Sequence, residues 1–320
     1  MQDKLLESLR HAQGYLPPEQ LCQRLGVSRQ ALWQEIAGLR RLGYGIVAVP
    51  HLGLRMESAP DRLYPFEVAS GLHTRLIGKQ IHYLKTVAST MDVAMELAGK
   101  AAAEGTVVVA ETQTRGRGRL GRQWLSPRYR GLYFSVILRP DIPPTHTAVL
   151  TLLAGVAVAE AVARCSGVDV SIKWPNDILI AGRKAGGILT ELRQELDAVQ
   201  VAVIGVGLNV NTAVHELPAH ATSIAHALGG PPRRVDRVAL LQEILRAVEE
   251  NYVLLQKKGA GCVLEKWRGM AATLGARVKV AAGREHVEAV AVDIDADGGL
   301  LVRCDSGEIR KFMAGDVLHL

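Results

Sequence analysis

Four arginines, Arg115, Arg117, Arg119 and Arg122, fall within eight positions and are separated by Gly116, Gly118 and Gly121. Arginine keeps its charge and can grip a carboxylate or phosphate with two hydrogen bonds. Glycine between the arginines adds no bulk and permits left-handed backbone. Such a segment can fold over a small anionic ligand and aim several donors at it. Ordering it costs conformational entropy, so closure is expected to accompany binding. A solvated basic loop or a nucleic-acid arm has the same composition. The glycines also satisfy G-x-G-x-x-G after the apolar run Thr106–Ala110. A dinucleotide fingerprint requires a helix opening at the third glycine. Here Pro127 and Gly131 break the chain, and Leu132–Leu138 reads as a strand.

Three further stretches carry chemistry. Lys173-Trp174-Pro175-Asn176-Asp177 presents a lysine, an amide and a carboxylate together, and the proline disfavours helix at Trp174. A lysine neutralises phosphate, and a carboxylate such as Asp177 can hold Mg²⁺ by one or two oxygens; a plain turn between strands would look the same. Ala181-Gly182 can turn a hairpin, so that Lys184 starts the return strand. The P-loop pattern G-x-x-x-x-G-K-[ST] does not occur in the chain. In Gly205-Val206-Gly207-Leu208-Asn209 a strand runs into glycines that let backbone approach a ligand.

The elements that must position these groups divide the chain in three. Residues 1–60 read as a small domain: an amphipathic helix with Leu5, Leu6 and Leu9, a second opened by Pro17-Pro18-Glu19, and a third capped by Ser28 and running from about Arg29 to Leu42. Helix, glycine turn and helix are the helix-turn-helix spacing, and a hairpin around Pro50–Gly53 supplies a wing. Arg29, Gln30, Gln34, Arg40 and Arg41 on the third helix favour nucleic acid; a three-helix packing module is the alternative.

Ser58–Asp61 reads as a linker. From 65 to about 270 helices are expected over 65–76, 91–103, 145–165, 221–228 and 235–257. Strands are expected near 80–84, 106–110, 132–139, 168–173, 177–180, 186–192 and 199–206. That order suggests an α+β mixed sheet layered on helices. From 271 to 320, short strands separated by Asp297-Gly298-Gly299 and Asp305-Ser306-Gly307 read as a small β-barrel.

The chain has 320 residues, 48% of them hydrophobic and only 4% aromatic, so a sizeable aliphatic core is available. A formal charge of +6 favours anionic partners. Cys22, Cys165, Cys262 and Cys304 are far apart and form no zinc spacing, as expected of thiols in a reducing compartment. The N-terminus lacks a signal-peptide pattern. No apolar run is expected to approach membrane-spanning length. A cytoplasmic protein without membrane association follows as the expectation.

Taken together, the Gln113–Pro127 segment, Lys173–Asp177, Gly182-Arg183-Lys184 with Gly187-Ile188-Leu189, and Gly205–Asn209 resemble, in order and spacing, the bifunctional biotin–protein ligases that also act as biotin operon repressors. The resemblance covers essentially the whole chain. It implies a winged helix-turn-helix, a ligase domain of class II synthetase-like type and an SH3-like C-terminal barrel. It implies a reaction in which biotin and ATP give biotinyl-5′-AMP, followed by transfer to a lysine of the biotin carboxyl carrier protein of acetyl-CoA carboxylase. It also implies repression at operator DNA by a homodimer that the adenylate promotes.

By the same resemblance Lys184, Arg119 and Lys173 act in catalysis. Ser89, Thr90, Met91, Gln113, Arg117, Gly118, Arg119 and Lys184 bind biotin. Met91 stands where other members often carry asparagine, and its backbone is expected to matter more than its side chain. Capping a helix is the alternative role for either Ser89 or Thr90. Arg122, Trp124, Lys173, Asn176, Asp177 and Asn209 face ATP or the adenylate, with Asp177 the candidate Mg²⁺ ligand, and Ser28, Arg29, Gln30 and Gln34 face DNA. The wing turn His51-Leu52-Gly53-Leu54 is less basic than is typical of the family. A lipoate-type ligase of related fold, or a biotin-sensing repressor with an inactive ligase domain, are the alternatives. Retention of Lys173, Asp177 and Lys184 beside the complete glycine–arginine segment argues against the second.

Overall fold

The computed structural model describes residues 1–195, 198–230, 233–283 and 285–320. Met1–Arg62 form one compact unit and Leu63–Leu320 a second.

In the first unit, α1 (Gln2–Arg10) buries Leu5, Leu6 and Leu9. α2 (Pro18–Leu25) has proline at its start, where the missing N–H has no helical partner to lose, and stops at Gly26 with φ of 67°. α3 (Arg29–Arg41) starts where the Ser28 hydroxyl accepts the Ala31 N–H at 3.2 Å. It buries Leu32, Ile36 and Leu39, a stripe at helical spacing. β1 (Gly45–Val49) and β2 (Gly53–Ser58) then pair antiparallel as the wing.

The second unit opens with α4 (Pro65–Ser70), shorter than the expected 65–76 helix. The cause is distant in sequence: the Glu249 carboxylate accepts the backbone N–H groups of Arg75, Leu76 and Ile77 at 2.7–2.8 Å, replacing helical bonds there. β3 (Ile81–Leu84), α5 (Thr90–Gly99), β4 (Val107–Ala110) and β5 (Leu132–Leu138) follow. Between β4 and β5 the third glycine, Gly121, ends a 3₁₀ turn, Arg119–Gly121, and the chain leaves it extended at Arg122, as the rejection of a dinucleotide fold requires. Next come α6 (Thr147–Ser166), β6 (Val170–Lys173), β7 (Asp177–Ile180), β8 (Arg183–Glu195), β9 (Ala198–Leu208), α7 (Ile224–Ala227), α8 (Arg237–Lys258) and α9 (Gly261–Met270).

The seven strands order as β3-β4-β5-β9-β8-β7-β6. β3–β4 is parallel and the other pairs are antiparallel, so the sheet is mixed. Alternation along the central strands separates two apolar layers. Val108, Ile137, Val201 and Val203 pack with Met91, Ala94 and Ala98 of α5. Val107, Val136, Ala202 and Ile204 belong to the large core with α6 and α8.

Three expectations are corrected here. Pro144–Ser166 is long and apolar enough to cross a membrane, contrary to the sequence reading, with a mean hydropathy of 1.8. It is the central core helix: two-thirds of its most apolar window is buried inside the unit (67%). The helix expected over 221–228 shrinks to α7, four residues capped by Ser223. α9 lies where the sequence pattern predicts no element, although Val263, Leu264 and Trp267 form its buried face.

β10 (Arg277–Ala282), β11 (Glu285–Ile294), β12 (Leu300–Cys304), β13 (Ile309–Phe312) and β14 (Asp316–His319) form a five-stranded antiparallel sheet in the order β13-β12-β11-β10-β14. β14 was not foreseen. Gly298 and Gly307, at φ of 84° and 88°, make the two turns that were. This sheet shares the core of the mixed-sheet layers: Val278, Ala289 and Val302 belong to the same cluster as α6 and α8.

Candidate active site

A cavity of about 560 Å³ opens where α5, the glycine–arginine segment, the β6–β7 turn, the glycines of β8 and β9 and the last strand converge. Ser89, Thr90, Met91, Gln113, Arg117, Gly118, Arg119, Arg122, Trp124, Lys173, Asn176, Asp177, Lys184 and Asn209 all line it. The sequence-derived ligand residues, drawn from five separate stretches, are thus brought to one place.

Its polar side is a hydrogen-bond chain. Ser135 Oγ donates to Thr90 Oγ1 at 2.9 Å. Gln113 Oε1 accepts both the Thr90 N–H at 2.8 Å and its hydroxyl at 3.2 Å, and Gln113 Nε2 donates to Ser126 Oγ at 3.1 Å. Ser89 is the N-cap of α5, its Oγ accepting the Met91 N–H at 3.3 Å. Thr90, next to it, is instead turned toward Gln113. Ser135 and Ser126 escaped the sequence reading. Ser135 left a signal, being the one hydroxyl among apolar neighbours in Leu132–Leu138 apart from Tyr133.

On the cationic side Lys184, Arg117 and Arg122 are paired with carboxylates. Lys184 Nζ lies 2.5 Å from Asp177 Oδ1 and 5.7 Å from the centre of the Trp124 ring. Register places Asp177 opposite Gly187 and Lys184 opposite Leu179, so Lys184 reaches Asp177 diagonally across the hairpin that Ala181 and Gly182 turn with positive φ. Arg117 reaches both Asp92 at 2.9 Å and Glu191 at 3.1 Å. Arg122 pairs with Asp316 of β14. Arg119 donates to Asn176 Oδ1 at 3.3 Å and to the Gly315 carbonyl at 3.2 Å. Burial pushes the Lys173 ammonium below its usual value, against the pull of Asp177, and the nearby Lys184 adds to the depression. Burial lowers Arg119 likewise, while Asp316 and Asp177 oppose it.

Two of the named amides serve the scaffold. Asn176 Nδ2 donates to the Ile188 carbonyl at 2.7 Å, and Asn209 Nδ2 to the Thr222 carbonyl at 3.0 Å. Trp174 is buried at 2% exposure, its peptide to Pro175 is cis, and its indole N–H donates to the Gly298 carbonyl at 3.1 Å. That bond ties the Lys173–Asp177 turn to the C-terminal sheet.

The glycines explain how an indole fits. A Cβ at Gly207 would lie 2.4 Å from Trp124 Nε1, and one at Gly187 would lie 3.3 Å from its ring. Bare backbone on β8 and β9 therefore lets the ring lie on the sheet. The segment itself is a tight hairpin: Gly118 N–H donates to the Arg122 carbonyl at 2.7 Å and Trp124 N–H to the Gly116 carbonyl at 2.9 Å, with Leu120 and Gly121 at positive φ.

In the first unit, Arg29, Gln30 and Gln34 are exposed on α3, and Ser28 is used as its cap. Arg29 sits 3.5 Å from Glu19. Arg40, expected to favour nucleic acid, instead donates from Nε and Nη2 to the Ile46 carbonyl at 2.9 and 2.7 Å and braces the wing.

The sequence profile of the biotin/lipoate A/B protein ligase family matches residues 83–209. The biotin protein ligase C-terminal domain matches 273–320, and a helix-turn-helix domain matches 2–55. The bifunctional ligase/repressor BirA of Bacillus subtilis is 38% identical over 95% of this chain and 93% of its own. Its Escherichia coli counterpart is 30% identical over 93% and 91%. Among solved structures, the biotin protein ligase from Aquifex aeolicus in complex with biotin and ATP superposes with a TM-score of 0.65, at 30% identity, over 76% of this chain and all (100%) of that one. The chain belongs to the bifunctional ligase/repressor family of biotin protein ligases.

Proposed function

We propose that this protein is an ATP-dependent biotin–protein ligase and, through its winged helix, a repressor responsive to biotin. One observation carries the ligase reading: a single cavity joins Thr90 and Gln113, neutral groups held from behind by Ser135 and Ser126, to a cluster of cations including Lys173 and Lys184. The chain suits a ureido group, which wants donors and acceptors in an apolar slot. The cations suit a carboxylate meeting a phosphate. A biotin carboxylate oxygen bonds to the α-phosphorus of ATP, the bond to the β-phosphate oxygen breaks, and pyrophosphate leaves. The carrier lysine amine then attacks the acyl carbon and AMP departs. Lys184 neutralises the approaching anions, Lys173 and Arg122 face the phosphates, Arg117, Gly118 and Arg119 cover biotin, and Trp124 flanks the adenylate. The glycine–arginine segment keeps water from the hydrolysable anhydride.

Mg²⁺ is best regarded as arriving with the nucleotide. Among the described residues, groups of three or more His, Cys, Asp or Glu able to hold a metal are absent. Asp177, the nominated ligand, is paired with Lys184. Mg²⁺ commonly keeps water and substrate phosphates as its main ligands, with one or two carboxylates. We assign 1–60 to DNA binding, 65–270 to catalysis and 271–320 to the C-terminal domain. The partners in this reading are a biotin carboxyl carrier protein, operator DNA contacted through Gln30, Gln34 and Arg29, and a second copy of the chain recruited by the adenylate. A reducing cytoplasmic setting suits its four free cysteines.

The family profile spans lipoate ligases as well as biotin ligases, so the test is competitive. Labelled biotin, lipoate and octanoate are offered with ATP to biotin and lipoyl carrier domains. Biotin transfer alone supports the reading, lipoate or octanoate transfer replaces it, and biotin binding without transfer leaves a sensor.

A further inference from the structure

Met91 brings the one large apolar side chain to the group assigned to biotin, and the structure gives that side chain a specific neighbour. Met91 is only 4% exposed, packs with Ala94, Val108, Ile137 and Val203, and also lines the cavity. It is therefore where the small apolar layer meets the ligand space. Facing it on β9 is Gly205, held in the sheet between Ser135 of β5 and Leu189 of β8. A Cβ on Gly205 would fall 2.5 Å from Met91 Sδ and 3.0 Å from its Cγ, both inside contact distance. Gly205 is not among the residues with positive φ, so backbone conformation does not require glycine here. Space does.

The pair is also coupled to the polar chain. Met91 N–H is bonded to Ser89 Oγ, and its neighbour Thr90 is bonded to Gln113 and Ser135, the partner of Gly205 across the strands. The thioether is enclosed by Ala94, Val108, Ile137 and Val203, so a methyl at Gly205 pushes it toward the ligand space, beside the Thr90 hydroxyl that the ureido group would meet. We propose that Met91 and Gly205 form a size-matched pair that sets the width of the apolar slot, making the Met91 side chain a determinant of biotin binding rather than a passive backbone position. The inference rests on the biotin reading of the cavity.

The experiment measures steady-state, biotin-dependent pyrophosphate release by the full chain turning over on a biotin carrier domain, with KM for biotin and for ATP and kcat, in wild type, Gly205→Ala, Met91→Ala, the double variant and Met91→Leu. Adding a methyl to a filled slot should raise the biotin KM of Gly205→Ala by about tenfold or more, the scale of one methyl group in a tight pocket, leaving the ATP KM nearly unchanged. Removing the thioether should relieve the clash, so that the double variant binds biotin better than Gly205→Ala and its KM falls below the product of the single effects. Met91→Leu, close in volume, should melt near wild type, so any rise in its biotin KM reports the shape of the slot and not lost packing. Multiplicative single effects, or an unchanged biotin KM in Gly205→Ala, would overturn the pair. An ATP KM that rises as much as the biotin KM would overturn it too, since that marks general damage. Absence of biotin-dependent release in wild type indicts the ligase reading instead. Thermal melting of the same four-variant cycle then decides the pair: additive losses reject it, and a double variant more stable than the sum supports it.

Discussion

In the proposed reaction Lys184 stands where two like charges must meet. A carboxylate and a phosphate repel until a cation lies between them, and Lys184 is held in place by Asp177 at 2.5 Å and by the face of Trp124. Lys184→Ala should fold and slow pyrophosphate release by roughly 10²-fold, the scale of one electrostatic stabiliser; stopped-flow detection at saturating biotin and ATP reads this directly. A different residue pair governs stability. Glu111 and Arg237 are both fully buried (0%) and 2.8 Å apart, and Glu111 also accepts the Leu63 N–H at 2.9 Å. Breaking such a pair leaves an uncompensated charge, so Glu111→Gln should cost about 3–5 kcal/mol, measured by urea unfolding. Lys184 was legible because its hairpin is local and its spacing to Asp177 is short. Glu111 was not: its partner lies 126 positions away, and nothing in the sequence around either residue announces the other.

At the scale of elements, the glycine–arginine segment was legible as a strand–loop–strand because proline and glycine punctuate it. Its anchorage was not, since Arg122 and Arg119 end on Asp316 and Gly315 beside a strand too short and irregular in pattern to be read. α4 shows the same limit from another side: local pattern extended the helix, and Glu249 of α8 ended it. The turn between β11 and β12 offers a test in pH. Although partial burial pushes the Asp295 carboxyl up, Lys311 and the N–H groups of Gly299 and Asp297 together hold it below its usual value. A depressed carboxylate contributes stability that is complete above its unfolded value and is lost as pH falls through the folded one. Wild type should therefore exceed Asp295→Asn in melting temperature at neutral pH, and the gap should close below about pH 4. A gap that is constant with pH would remove the charge from the explanation. Arg119→Gly tests the segment itself: the adenylate should escape and label nearby lysines, whereas strict labelling of the carrier would deny the segment its role as gate.

At the scale of the molecule, the chain divides into two compact units, and the proposal assigns one activity to each. Removing residues 1–60 should abolish operator binding, read by gel shift, and leave pyrophosphate release, because every residue lining the cavity follows Arg62. A truncated chain that still shifts operator DNA would place the DNA surface elsewhere. One winged helix reads a half-site, so a two-fold operator needs a dimer. If the adenylate favours that dimer, the dimer must hold the adenylate more tightly, with a coupling of about 1–3 kcal/mol. Sedimentation and operator binding at fixed salt, with and without biotinyl-5′-AMP, measure it. Most directly, the central claim is tested by mixing the protein with ATP and biotin in the absence of any carrier and counting pyrophosphate. The account predicts a biotin-dependent burst equal to the protein present, followed by biotin transfer when the carrier domain is added. Pyrophosphate release indifferent to biotin, or none at all, would contradict it.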